Sequence, residues 1–431
     1  MCHCWGLYTS EPFFGQWSLC RASDRFARSP ALNWLASNRL IRVRAVQLSG
    51  RHMSALRLAA LQVGFHSGFF RLAQLARRQQ AAILMFHRFS GNDEGHVRGL
   101  PIRRFAEYME YLARHYCVVP LSDLIEDLRR GVIRPYATAV TVDDGYHEVF
   151  SLAAPVLRRY GLPATFFVVS DFIDGRLWLW TDRFRFVFAR AQQSQVAFRH
   201  RGRIHVLDIQ NEEARLGTAE RCIEYAKRVS VAEREELLEA VAEACRITIP
   251  VAPPREYRPM TWAQLRALAA DGFEVGAHTR THPILSRVGP WQLHDEIEGC
   301  KEEIERNLGF PIRHFAYPNG RREDYGSEAV EAVSRACYRA AVTTVAGINT
   351  PSTPPYELRR IASSAEDLAH FAQDVSGFEL AKLRFRAAFG LDRMLVRRRP
   401  LAHQAPILGP EAIPPTRHPD QSGPGEHGAF H

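Results

Sequence analysis

The stretch Ala137-Thr138-Ala139-Val140-Thr141-Val142-Asp143-Asp144-Gly145-Tyr146 decides the fold. Six small or β-branched residues run without a charge, and two carboxylates and a glycine then stop the run. A strand without polar alternation is buried on both faces, as in a parallel sheet flanked by helices. A second run of this kind, Ala164-Thr165-Phe166-Phe167-Val168-Val169, follows a helical pattern at 149–160 that Gly161-Leu162-Pro163 ends.

Working outward, the same rhythm repeats. Upstream, Ala82-Ile83-Leu84-Met85-Phe86 is a short apolar run ending at His87, followed by helical spacing at 102–112, a strand at 116–119 and a helix at 121–128 capped by Ser122. Downstream, Thr261 caps a helix reaching Ala270. Strands are expected at 273–277, 314–317, 339–343 and 357–361, with a helix at 291–308. Between 180 and 254 the pattern changes to an aromatic helix, a hairpin and two charged helices, which reads as an insertion on the side of the domain. Repeated βα units predict an α/β fold, a closed or nearly closed barrel of about seven or eight strands.

The 431 residues carry 46% hydrophobic and 24% charged side chains, which excludes a disordered chain, a collagen and a coiled coil. No eighteen-residue apolar run is present, so a spanning helix is not expected. The net charge is +9, and of 56 basic residues only Lys227, Lys301 and Lys382 are lysine. No basic block with interleaved aromatics occurs, and nucleic acid is set aside as a partner. Eight scattered cysteines without a Cys-x-x-Cys pair read as free thiols of a reducing compartment. Residues 1–52 lack signal-peptide features and read as a poorly ordered extension, with Met53 the expected natural start. Residues 366–399 read as a helical segment, and 400–431, rich in Pro and Gly, as a disordered tail.

Chemistry gathers just after the strands: Asp143-Asp144-Gly145 after one, His278 and His282-Pro283 after another, Pro318-Asn319-Gly320 after a third. Strand C-terminal ends converge on one face of a βα barrel, where active sites lie. Two His at i and i+4 plus a carboxylate make a three-ligand set with an open position, suited to a catalytic divalent ion. Adjacent carboxylates disfavour double ionisation. A bound cation relieves one, and the other is then free to accept a proton. Taken alone, Asp-Asp-Gly is also an ordinary turn.

These strings carry a family resemblance. Thr141-Val142-Asp143-Asp144-Gly145-Tyr146 resembles the first motif of the polysaccharide deacetylases, the NodB-like carbohydrate esterases of family 4, usually Thr-Phe-Asp-Asp-Gly. His278-Thr279-Arg280-Thr281-His282-Pro283 resembles their second, and Phe315-Ala316-Tyr317-Pro318-Asn319-Gly320 is similar to their third. The resemblance covers about residues 80–365, with the insertion at 183–255. It implies a distorted NodB-like barrel, Asp143 as general base, and Asp144, His278 and His282 as ligands of a divalent metal, zinc being the expected ion. It also implies an oxyanion contact from the Asn319 backbone N–H. The third motif often holds an arginine that orients the base, and here that position is Ala316. Arg360, in Tyr356-Glu357-Leu358-Arg359-Arg360-Ile361, is the expected replacement. The late histidine that serves as general acid in the family is not visible, and His370 is a poor candidate.

His87, Trp180 and Tyr317 are the expected substrate-contacting residues, Trp180 because aromatics near a barrel mouth stack on sugar rings. The resulting expectation is a metal-dependent hydrolase that removes acetyl groups from an N- or O-acetylated glycan or its precursor. A sugar-binding relative without turnover and a hydrolase of non-sugar C–N bonds are the alternatives. A cytoplasmic location is expected, with peripheral contact at the inner membrane through Arg-rich stretches such as 382–399. The oligomeric state is left open.

Overall fold

The computed structural model describes residues 50–75, 77–91, 99–362 and 367–378. The extension expected at 1–52 lies almost wholly, and the tail at 400–431 wholly, outside the described residues. So does all but residues 367–378 of the C-terminal segment.

Seven parallel strands form a closed ring in chain order: β1 (Ala82–Phe86), β2 (Ala137–Val142), β3 (Thr165–Val168), β4 (Glu274–Ala277), β5 (His314–Ala316), β6 (Ala340–Ala346) and β7 (Leu358–Ala362). Closure is made at β1, which pairs with β2 from Ala82↔Thr138 to Phe86↔Val142 and with β7 at Leu84↔Ile361. The strand expected at 116–119 is only Cys117–Val118, an eighth strand on the first residues of β2 and outside the ring. All residues of β1, β2, β3 and β5 are buried, as their unbroken apolar pattern predicts. Gly276 is needed where β4 meets β3, because a Cβ there would fall 2.4 Å from the Phe167 ring.

Helices wrap the ring. α1 (Gly50–His66) and α2 (Phe69–Leu75) precede β1, and α3 (Ile102–His115) follows it. The helix Leu121–Arg130 begins after Pro120, not at Ser122. The Ser122 N–H instead donates to the Glu274 carboxylate, and its Oγ pairs with His314 Nε2 at 2.9 Å. Thr261 does cap its helix, in a full capping box with Gln264. The helix expected at 291–308 starts at Pro290 and is interrupted by a π-helical turn, Asp295–Gly299.

The segment read from the sequence as an insertion contains α4 (Trp180–Arg190), a hairpin of Gln195–His200 and Arg203–Asp208, α5 (Glu212–Ala226) and α6 (Val231–Cys245). α4 packs on both α5 and α6. It starts at Trp180, and its first turn supplies side chains to the barrel mouth.

Candidate active site

The first motif leaves the C-terminal end of β2. The Asp143 N–H donates to the Phe86 carbonyl of β1, so the chain is still in register when it reaches the carboxylates. Asp144 then turns into the left-handed region at φ 78°. Gly145 follows at φ 95°, where a Cβ would lie 2.7 Å from Ile173. Thr279 (φ 67°), His282 (φ 58°) and Asn319 (φ 57°) adopt the same uncommon conformation. Such strain persists only where the surroundings over-determine it, and here it recurs in all three motifs.

Asp144, His278 and His282 each place one ligand atom within 4.8 Å of the other two, and all three are buried. Asp144 Oδ1 lies 3.5 Å from Nε2 of both histidines and has no hydrogen-bond partner. His278 Nδ1 is 2.7 Å from the Ala316 carbonyl, which holds a proton on Nδ1 and turns Nε2 toward Asp144; burial lowers this imidazole, but the Asp144 and Asp143 carboxylates outweigh it, so it lies above its ordinary value. Burial pushes the His282 imidazole down to about 3, so it is a neutral donor. An orphaned buried carboxylate oxygen facing two imidazoles is costly unless a cation sits among them. The set fits a divalent metal with an open position.

The loop that carries the histidines is fastened from behind. Glu296, 2% exposed, accepts the N–H groups of Arg280 and Thr281, both at 2.9 Å, and the Thr281 hydroxyl. Thr279 Oγ1 accepts the His282 N–H at 3.0 Å, and the Ser170 N–H donates to the Thr279 carbonyl.

Asp143 is 1% exposed and gripped by Arg360. Nη1 and Nη2 each donate to one carboxylate oxygen at 2.7 Å, while Nε donates to the Thr343 carbonyl and Nη1 also to Thr141 Oγ1. Burial raises the Asp143 carboxyl, but the Arg360 guanidinium and then His278 outweigh it, so it lies below its ordinary value. The guanidinium reaches the carboxylate from β7. At the third-motif position Ala316 leaves that space free and offers its carbonyl to His278.

These groups open on one cavity of about 860 Å³, lined also by His87, Tyr317 and Asn319. His87 is partly exposed, with Nε2 3.8 Å from Asp143 Oδ2. The Asn319 backbone N–H has no partner among the described residues, and its Nδ2 is buried without one. Tyr317 is fully buried, stacked on Tyr325 at 4.3 Å, with an unpartnered hydroxyl. His370 pairs with Asp367 on its own helix.

Trp180 is not at the mouth. It is 3% exposed, its indole N–H donates to the His282 carbonyl at 3.1 Å, and the Arg234 guanidinium covers its ring. The tight packing of α4 leaves no ring face open to a sugar. Two residues on, Asp182 is fully buried. It accepts the Tyr146 hydroxyl and pairs with Arg185 at 3.2 Å and Arg88 at 3.6 Å. Arg88 lies 3.9 Å over the Tyr146 ring. The first turn of α4 therefore touches the second motif through Trp180 and the first through Asp182. The aromatic cluster at 178–188 was the only sequence signal for it, and packing and sugar stacking read alike there. Arg215 and Leu216 of α5, which also line the cavity, carry no local signal at all.

The family model described as polysaccharide deacetylase matches residues 134–215 and 225–341. This part of the chain, somewhat under half of its length, is similar to the polysaccharide deacetylase family. The gap in the match, 216–224, falls within α5. A putative polysaccharide deacetylase of Bacillus subtilis, YxkH, is 27% identical over 105 residues, 24% of this chain and 37% of that protein. A chitooligosaccharide deacetylase of a Bradyrhizobium strain is 36% identical over 55 residues, 11% of this chain and 25% of that protein. The chain thus spans well under half the length of these curated relatives. Among solved structures, the Streptococcus pyogenes deacetylase PplD aligns at 16% identity and TM-score 0.45, over 68% of this chain and 98% of its own. IcaB of Ammonifex degensii aligns at 18% identity and 0.45, over 68% and 97%.

Proposed function

We propose that the deacetylase domain hydrolyses the acetyl group of an acetylated, foremost N-acetylated, sugar in a glycan or its precursor, with a divalent metal, zinc foremost, held by Asp144, His278 and His282. The observation that carries this reading is the pairing of two differently prepared carboxylates in one cavity. Asp143 is held ionised by Arg360, while its neighbour Asp144 faces two histidines with an oxygen that nothing else satisfies.

A divalent ion in that set supplies Lewis-acid polarisation of a carbonyl and a lowered pKa for water. The chain's own residues do the rest. Asp143, fixed in orientation by the guanidinium fork, takes the proton of the attacking water. The unpartnered Asn319 N–H donates to the oxygen on which negative charge develops. His87 shares the cavity with Asp143 and is not among the three clustered ligands, which suits it to protonate the leaving amine. Trp180 positions the His282 loop rather than the sugar, and Tyr317 lines the cavity wall.

Acetate release from a panel of N-acetylated oligosaccharides and lipid-linked sugars tests the reading, with and without added zinc. Release that depends on metal and disappears in Asp143→Asn supports it. Glycan binding with no acetate from any member would favour a sugar-binding relative, and turnover of cyclic amides alone a non-sugar hydrolase. A cytoplasmic site of action belongs to the same proposal. No helix among the described residues is long and apolar enough to cross a membrane.

A further inference from the structure

Twelve large apolar side chains are exposed among the described residues, and five of them fall within residues 58–75: Leu58, Val63, Phe69, Leu72 and Leu75. They are 44–68% exposed. On α2, Phe69, Leu72 and Leu75 follow one another at i, i+3 and i+6 and so share one face, while Phe70 and Gln74 on the other side are buried. α2 is seated on Leu368–Ser376, and Gln74 donates to the His115 carbonyl at the end of α3. The helix is therefore docked by one side and carries an apolar stripe on the other, where Phe69 also meets the Phe378 ring at 5.2 Å while Leu72 and Leu75 stay exposed.

Within its own stretch of sequence the charge has one sign. From Arg57 to Asn92 the chain holds five arginines and no Asp or Glu. Arg71 and Arg78 are exposed. Arg77 is 2% exposed and has no carboxylate within ion-pair distance among the described residues, so its charge is not neutralised locally. An apolar face rimmed by uncompensated cations is the composition of a helix that lies in a membrane interface.

We infer that the α1–α2 segment docks the protein on an anionic lipid surface, with Phe69, Leu72 and Leu75 entering the headgroup–acyl boundary and Arg71 and Arg78 meeting lipid phosphates. Charge selects this occupant over the others. A second copy meeting the same patch across a two-fold axis would set arginine against arginine. The chain's own residues 379–399 bring seven cations and two acids, and residues 1–49 six and two, so neither complements the face. The separated apolar side chains suit a fluid acyl phase, which needs no matching knobs. The inferred contact uses residues 58–78 rather than the sequence stretch 382–399, and it stands independently of the deacetylase reading.

Vesicle flotation with the full chain tests it. Vesicles of equal parts phosphatidylglycerol and phosphatidylcholine should carry the protein, pure phosphatidylcholine vesicles should carry much less, and binding should weaken as salt rises. Leu72→Glu should weaken binding about tenfold, the scale of losing one buried leucine and adding an anion. Arg71→Glu with Arg78→Glu should abolish the preference for phosphatidylglycerol. Both variants should melt with the parent and retain its acetate release from a short oligosaccharide, since α2 lies outside the cavity. Unchanged flotation in both variants would overturn the inference and leave another segment as the lipid contact. Absence of flotation in the parent would overturn it too, as would light scattering showing a dimer that Leu72→Glu dissolves.

Discussion

Arg360 holds both carboxylate oxygens of Asp143 at 2.7 Å, with the guanidinium fully buried and the carboxylate nearly so. The fork does two things at once: it keeps the buried acid ionised and it fixes the plane of the carboxylate. In Arg360→Ala the burial effect on Asp143 is left without its main counterweight, so the carboxyl ionises less readily. Its active form is the ionised one, so the acidic limb of the pH–rate profile moves to higher pH. Losing one partner of a buried pair also costs about 3–5 kcal/mol, so the variant's melting point should be recorded beside its profile. Arg360→Lys should recover part of the limb while kcat stays low, because an ammonium cannot clamp both oxygens. An unchanged limb and kcat in Arg360→Ala would make the residue a bystander.

Metal content separates the ligands from the base. His278→Ala and His282→Ala should each lose about one equivalent of divalent ion and nearly all acetate release. Asp143→Asn should keep the ion and lose roughly 10²-fold or more in kcat. Full metal occupancy in either histidine variant, measured by atomic emission after dialysis, would remove that residue from the set.

His87→Gln tests the proposed proton donor. The glutamine keeps much of the side chain's bulk and its hydrogen bonding but cannot shuttle a proton. The expected result is a fall of about 10²-fold in kcat with metal content and KM near those of the parent. A variant that loses affinity but not kcat would show that His87 only contacts the sugar.

The grouping of Asp144, His278 and His282 and the Asp pair were legible because their chemistry is local: all four lie on the loops that leave strand ends, and barrel strands converge at that end. The Arg360 contact was legible by its absence elsewhere, since Ala316 left a carboxylate needing a cation and the last strand offered one. Trp180 was misread as a sugar platform. Its contact to His282 spans about a hundred residues of chain, and nothing in Trp178-Leu179-Trp180 distinguishes a ring packed under an insertion from one exposed at a mouth. Ser122 was misread as a cap because Ser before an apolar run is a good cap signal, and the pull of Glu274 and His314 on it is tertiary.

Acid stability has a marker away from the site. His314 is buried at the start of β5, and burial, helped by Arg313 and Arg339, pushes its imidazole down to about 3. The folded value lies below the unfolded one, near 6.5, so the unfolded chain binds the extra proton. The associated stability is fully present above about pH 6.5 and is lost as pH falls toward about 3, at about 1.4 kcal/mol per pH unit. His314→Gln, which retains a partner for the Ser122 hydroxyl, should flatten the slope of unfolding free energy against pH in this window by about one proton. A slope identical to the parent's would mean that His314 is already protonated in the fold.

The first turn of α4 is tied to the first and second motifs. Trp180 holds the carbonyl of His282, a ligand candidate at φ 58°, and Asp182 holds Tyr146, three residues after Asp143. Neither side chain is placed to touch an acetyl group, so both act by position. Trp180→Phe keeps the ring and removes one donor, leaving the buried His282 carbonyl without it. Second-layer losses of this kind cost about 10- to 100-fold in metal affinity. The expected result is weaker zinc binding, with kcat restored toward the parent's at saturating metal. Asp182→Asn keeps the shape but removes the charge between Arg88 and Arg185, which retain only Glu148 and Glu220 as carboxylate partners. It should lower kcat through Tyr146 and Arg88 while leaving zinc affinity nearly unchanged. The two variants therefore separate on a metal titration: Trp180→Phe shifts it and Asp182→Asn does not. If both shift it equally, α4 supports the site only as bulk packing, and the division of labour between its two residues is wrong.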